Sequence, residues 1–236
     1  MSTADAAQRN PRFDRRTAPF ADRADALCAL TARYAERGWV PATSSNFSFR
    51  LDAAHCAVTS SGGDKGRLQP GELLIVDLQG RIVSGQHGSR RSAETALHLA
   101  RYRRGLDVGA VLHTHAPRAV LATRLLAGPE TPWVELEGYE LLKALPGIGT
   151  HRSTVRIPVV ANDQDVDALA ACAERALEET EAAAHPVKAA PAYLIEGHGI
   201  YAWGATLDDA ARHLEAIDYL LGIELELARH RPRSHA

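Results

Sequence analysis

The spacing of apolar positions changes along this chain, and each change marks an element. From Ala21 to Arg37, the residues Ala24, Leu27, Cys28, Leu30, Thr31 and Tyr34 share one face of a 3.6-residue spiral that Gly38 ends, which predicts a helix. Asn46 to Leu51 and Cys56 to Thr59 read as short strands joined by a turn around Asp52. Leu73 to Leu78 reads as a further strand, turning at Gln79-Gly80 into Arg81 to Val83. Ser92 to Arg104 predicts an amphipathic helix with Ser92 as N-cap and Gly105 beyond its end. Val108 to Leu112 is a short apolar strand running into His113. Pro117 to Leu126 and Tyr139 to Leu145 read as helices, separated by a Gly/Pro loop that contains Trp133. Val155 to Val160 then gives a strand, Asp163 to Glu179 a capped helix and Ala192 to Glu196 a strand. After Gly197-His198-Gly199 a strand resumes through Trp203, and Leu207 to Arg229 is a long closing helix.

Residues 1–17 lack apolar periodicity and read as a mobile tail, leaving 18–236 as a single domain. Strands cluster, helices flank them and strict βαβ repeats are few. The expected fold is a three-layer α/β/α domain with a central mixed, mainly antiparallel sheet.

Composition narrows the function more than the fold. With 236 residues the chain suits one core, and a net charge of −2 gives no global field to recruit nucleic acid or an anionic membrane. No apolar run is long enough to span a bilayer, and the polar, Arg-rich start has no signal-peptide core. Cys28, Cys56 and Cys172 are scattered, form no CxxC pair, and read as buried small hydrophobes in a reducing, cytoplasmic setting.

His113 and His115 stand at i and i+2 at a strand end, so both project to one side with Cα atoms roughly 6.5–7 Å apart. That separation lets two imidazoles converge on one ion, though two hydrogen-bonded strand-end histidines give the same pattern. His198, held between two glycines after an apolar strand, changes the balance. Three histidines so placed suit a metal site with an open position and disfavour an oxygen-only calcium or magnesium site. His98 shares a helical stripe with Glu94 and Arg101 and reads as a surface or interface histidine.

Ser60 to Arg67 packs two hydroxyls (Ser60 and Ser61), three glycines including Gly62, Lys65 and an arginine into one loop, without Walker A spacing. Such a loop offers backbone N–H groups to an anion, or is simply a solvated turn. Asn46 and Ser92 would add contacts if the fold brings them near. Two carboxylates stand out, Glu94 in a first helical turn and Glu140 after a loop, each also explicable as a solvated helix-start acid.

Taken together, Ser44-Ser45-Asn46-Phe47-Ser48, the Ser60–Gly66 loop, Ser92-Ala93-Glu94-Thr95, Ala110 to His115, Glu137 to Lys143 and Gly197 to Gly204 resemble the class II aldolase/adducin family over nearly the whole chain. The resemblance implies one zinc ion per subunit on His113, His115 and His198, phosphate held at Asn46 and the Ser60 loop, and a homotetramer with sites near subunit boundaries. Asp64-Lys65-Gly66, the segment Gly138 to Lys143 and Tyr201 with Trp203 look like the family's dehydratases. That implies loss of water from a phosphorylated methylthioketose, with Glu140 as acid/base and Tyr139, Tyr201 and Trp133 as walls for the thiomethyl group. Two other readings stay open. One is a sugar-phosphate aldolase or epimerase with Glu94 as the acid/base, the other a metal-free binding module like the adducin head. Two positions depart from the family: Ser45 stands where glycine is usual, and Arg90-Arg91 is unusually basic.

Overall fold

A computed structural model describes residues 18–182 and 187–230, so the expected N-terminal tail lies outside the described residues. The strands are β1 (Asn46–Arg50), β2 (His55–Thr59), β3 (Leu73–Asp77), β4 (Ile82–Ser84), β5 (Ala110–Thr114), β6 (Trp133–Glu137), β7 (Thr154–Val160), β8 (Lys188–Ala189), β9 (Ala192–Ile195) and β10 (Gly199–Gly204). The helices are α1 (Ala18–Glu36), α2 (Thr95–Arg104), α3 (Pro117–Leu125), α4 (Val166–Ala182) and α5 (Leu207–His230). The strands form one sheet in the order β4-β3-β2-β1-β5-β10-β9-β7-β6, with β8 beside β7. Every pairing is antiparallel except β7 with β8 and β7 with β9, so the sheet is mixed and mainly antiparallel.

Period-two alternation sorts the strand residues onto two cores. Phe47, Phe49, Ala57, Leu112, Leu194 and Ile200 face α1, α3 and α5, whereas Val58, Val76, Val111, Tyr193, Tyr201 and Trp203 face α2 and α4. Helices thus cover both faces, giving the three layers that the patterning predicts. The α2–α4 layer is tied together by Arg101, buried over the Trp203 ring at 4.0 Å and paired with Glu174 at 2.6 Å. Arg50 of β1 donates to the carbonyls of Tyr102 and Gly105 at 2.6 Å each, capping the end of α2 with a cation where the helix dipole favours one. No helix among the described residues is long and apolar enough to cross a membrane.

Several local expectations are corrected. The Trp133 segment is strand β6, not loop; its alternating buried and exposed residues were masked by the flanking Pro129, Pro132 and Gly128. Tyr139 to Leu145 is not an α-helix but a short 3-10 turn over Glu140–Ala144, ended by Pro146 and Gly147. Ser92 does not cap α2 directly: its Oγ accepts the Glu94 N–H at 3.2 Å, in a turn before the helix begins at Thr95. Cys56 is buried, but Cys28 and Cys172 are only half-buried.

His98 is also corrected, from surface to core. It is fully buried, its Nδ1 is 2.8 Å from Ser48 Oγ, and Ser48 Oγ is also 2.8 Å from the Tyr102 hydroxyl. The stripe it shares with Arg101 faces the sheet and α4 rather than water. Burial depresses its pKa from the ordinary 6.5 to about 4, Glu94 opposing. The unfolded chain therefore binds a proton that the native state refuses as pH falls from about 6.5 to 4. Stability is present above that window and drains across it by at most about 3 kcal/mol from this residue. In metal-free protein, urea midpoints at pH 7 and 4.5 are expected to differ less in His98→Phe than in wild type; an equal difference would refute this.

Candidate metal centre and cleft

The β5–β10 pairing creates the site. It sets Tyr201 opposite His113, while β1 on the other side sets Asn46 opposite the same histidine. At the start of β10 the two backbones approach so closely that a Cβ on Gly199 would lie 2.2 Å from the Thr114 carbonyl oxygen. Gly197 takes φ +63, the left-handed region that favours glycine. These two glycines fold the chain so that His198 lies against the β5 histidines. Ring centroids are 4.8 Å apart for His113 and His115, 5.0 Å for His113 and His198, and 4.7 Å for His115 and His198.

Glu94, one residue before α2, completes the group. Its Oε1 is 3.0 Å from His198 Nε2, its Oε2 is 3.8 Å from His113 Nε2, and Asn46 Nδ2 donates to Oε2 at 2.5 Å. One ligand atom from each of Glu94, His113, His115 and His198 lies within 4.8 Å of the others. His113 Nδ1 donates to the Ile200 carbonyl at 3.0 Å, which leaves the lone pair on Nε2. The Nε2 atoms of His113 and His115 are buried with no hydrogen-bond partner, a costly state for polar nitrogens unless a cation takes their lone pairs.

Protonation agrees. Burial first, then the neighbouring histidines, hold His113 and His115 below the ordinary imidazole pKa, against the pull of Glu94. Burial raises the Glu94 pKa, but its bond to His198 and the charges of the three histidines outweigh that and set it at about 2. Three imidazoles beside a carboxylate, with two of their nitrogens buried and unpartnered, are the donor set of a zinc-like divalent metal, and the residues fit such an ion.

The cluster opens into a cleft of about 480 Å³. One wall carries Asn46, Ser61, Gly62, Lys65 and Ser92, so the structure unites five of the six residues expected to hold phosphate. The sixth, Ser60, is taken up in a β-bridge with Arg91. Lys65 is buried, its Nζ donating to the Gly63 carbonyl at 2.8 Å, and desolvation lowers its pKa. The cleft is entered along Thr43 to Ser45, where Thr43 (φ +63) and Ser45 (φ +74) hold backbone angles that suit glycine.

Glu140 is not brought to this site within one chain. β5, β7 and β9 end at the histidine edge of the sheet, but β6 runs the other way and delivers Glu140 to the opposite edge. The seven residues of β7 separate the two edges, about 20 Å at ~3.3 Å per residue. There Glu140 is exposed and pairs with Lys143 at 2.5 Å, which keeps its pKa low. Nor do the expected aromatic walls line the cleft. Tyr139 donates to Glu224 at 2.6 Å, Trp133 stacks under Arg156 at 4.5 Å, and Tyr201 is buried behind His113. The wall facing Lys65 is instead Asn162 to Gln164 with Val166 and Leu169, which sequence reading missed. The signal was available: Asn162 follows a strand that ends where α/β sheets place their ligands.

Known structures and sequences agree with this geometry. The fold is that of L-fuculose 1-phosphate aldolase, with a TM-score of 0.71 and 20% identity over 92% of this chain and 91% of that one. The L-fuculose-1-phosphate aldolase of Thermus thermophilus superposes with a TM-score of 0.64 and 25% identity, covering 90% of this chain and 99% of that one. Residues 25–225 match the model for the class II aldolase and adducin N-terminal domain, and the chain belongs to that family. Curated relatives include the methylthioribulose-1-phosphate dehydratases of Xanthomonas campestris pv. campestris strain 8004, 50% identical over 83% of this chain and 84% of the relative, and of Stenotrophomonas maltophilia R551-3, 45% identical over 93% and 97%.

The His113 ring rests on an aromatic column. Tyr201 stacks on His113 with centroids 4.1 Å apart and 13° between planes, and Tyr193 backs Tyr201 at 5.1 Å. Tyr201→Leu is expected to weaken zinc binding about 10-fold, measured by chelator competition on folded protein, while Tyr201→Phe keeps wild-type affinity. Equal affinity in the leucine variant would remove the stack from the account.

Proposed function

We propose that this protein is a hydro-lyase that dehydrates 5-methylthioribulose 1-phosphate to 5-methylthio-2,3-dioxopentyl 1-phosphate, a cytoplasmic step of methionine salvage, with one zinc ion per subunit of a homotetramer. The observation that carries the reading is a three-histidine, one-carboxylate cluster sharing its cleft with Ser61, Gly62, Lys65 and Ser92. The near-half identity to dehydratases over nearly their whole length supports the choice of reaction.

Zinc, when bound, supplies Lewis acidity at the C2 carbonyl oxygen and so acidifies the C3 proton. The chain's own groups do the rest. Lys65, the Ser61 and Ser92 hydroxyls and the Gly62 N–H hold the phosphate, fixing C3 and C4 relative to the histidines. Glu140, ionised because Lys143 stabilises its charge, takes the C3 proton and delivers a proton to the C4 hydroxyl, which leaves as water. The resulting enol tautomerises to the 2,3-diketone. Because Glu140 stands at the far edge of its own sheet, it serves the cleft of a neighbouring subunit, which accounts for the tetramer.

Glu94 favours a second reading. A carboxylate 3.0 Å from His198 and bonded to Asn46 is placed to act as acid/base in an aldolase or epimerase on another sugar phosphate. Purified zinc-loaded protein offered methylthioribulose 1-phosphate and fuculose 1-phosphate is expected to consume only the first, with diketone appearing; cleavage of fuculose phosphate instead would move the assignment to the second reading.

Glu140→Gln is expected to retain zinc and lose about 10²–10⁴-fold in kcat. His115→Ala loses zinc and is inactive. Co-expressed in hybrid tetramers, the two inactive variants are expected to recover part of the activity, since some clefts then combine an intact metal site with an intact Glu140. Hybrids as inactive as their parents would show that Glu140 does not act across subunits.

A further inference from the structure

The two ends of the cleft differ: among the described residues its only aliphatic side chains larger than alanine, Val166 and Leu169, lie at the β7 end, beside Asn162, Asp163 and Gln164. Ser61 and Gly62 follow β2, Asn46 opens β1, the histidines sit at β5 and at the β9–β10 turn, and Val166 and Leu169 follow β7. In the order β2-β1-β5-β10-β9-β7, the histidine cluster lies between the Ser61–Lys65 end of the lining and the Val166 end. On the β2 side the lining groups are hydroxyls, backbone N–H and a buried lysine. On the β7 side the lining is Asn162, Asp163 and Gln164 together with two aliphatic side chains, Val166 and Leu169. Leu169 is buried and fixed in the α2–α4 core, whereas Val166 is half-buried, packing against that core with part of its surface left uncovered.

We propose that Val166, backed by Leu169, receives the apolar substituent at the end of the substrate chain opposite the phosphate, and is a specificity-determining residue. The inference rests on the dehydratase reading above and deepens it. An extended ketose phosphate carries its phosphate at one end, its reacting carbons in the middle and its C5 substituent at the other end. With phosphate at Lys65 and the C2 carbonyl at the histidines, C5 points to the β7 side. A thioether methyl there trades water for Val166 and Leu169. A C5 hydroxyl set against Val166 and Leu169 loses water without gaining a hydrogen bond from those two side chains. One apolar group in a fitted pocket discriminates by about 10–200-fold, enough to separate a methylthioketose phosphate from its hydroxyl counterpart.

The test uses the full chain loaded with zinc and two substrates, methylthioribulose 1-phosphate and ribulose 1-phosphate, which share phosphate, carbonyl and diol and differ at C5. Val166→Thr, near the shape of valine but carrying a hydroxyl, is expected to lower kcat/KM for the methylthio substrate about 10-fold. Turnover of ribulose 1-phosphate should rise, because the new hydroxyl can bond the C5 hydroxyl, while zinc content should equal wild type. Val166→Ala, apolar but smaller, should lie between Thr and wild type. If Val166→Thr changes both substrates equally, or neither, the wall assignment is wrong while the dehydratase reading stands. If wild-type protein dehydrates neither ketose, the dehydratase reading fails and this inference falls with it.

Discussion

The approach of β10 to β5 is the contact on which the site depends. Its tightest point is Gly199 against the Thr114 carbonyl, where a single added carbon would overlap the neighbouring backbone. Because the strands close there, three histidines from segments more than eighty residues apart meet with ring centroids within 5.0 Å. The same pairing brings the Ile200 carbonyl to His113 Nδ1 and lays Tyr201 along the ring's face, so one ladder fixes position, tautomer and orientation together. Neighbouring strands contribute outward from this seam: β1 adds Asn46, β2 leads into the anion loop, and β7 leads into the aliphatic wall.

Electrostatics inside the seam is a balance of burial against proximity. Burial alone would neutralise every group there. It holds His113 and His115 below the ordinary imidazole range, while Glu94 stays low, at about 2, because its bond to His198 and the nearby histidines outweigh its own burial. Asn46 serves twice in this arrangement. Opposite His113 in the ladder and hydrogen-bonded to Glu94, it orients the carboxylate from the strand side while lining the cleft itself.

Most of this was legible in the chain. The HxH spacing, the glycines around His198 and the hydroxyl-rich loop are local features, and local periodicity determines which way strand residues point. What escaped reading depends on pairs distant in sequence. His98 lies on a polar stripe whose partner, Ser48, is fifty residues earlier, so nothing nearby announces its burial. β6 is a strand because β7 offers it an edge, and its own residues, bounded by prolines, resemble a loop. The place of Glu140 follows from the direction of that same strand. Its residue type was readable in the segment Gly138 to Lys143; which end of the sheet it occupies was not. The β7–α4 wall was overlooked because its chemistry is bland, and aliphatic residues acquire meaning only when a cleft faces them.

The rim at Thr43 and Ser45 carries a further consequence. Three residues with side chains, Ala42, Thr43 and Ser45, are held in backbone regions that cost of order 1–3 kcal/mol each, next to an unpartnered Ser44 hydroxyl. Such a segment is maintained by its surroundings, here the Ser44 N–H bonded to the Pro41 carbonyl and the packing of Trp39 beneath it. The strain thus sits in the lining of the cleft itself, next to Asn46, while the strands that carry the three histidines keep regular ladders.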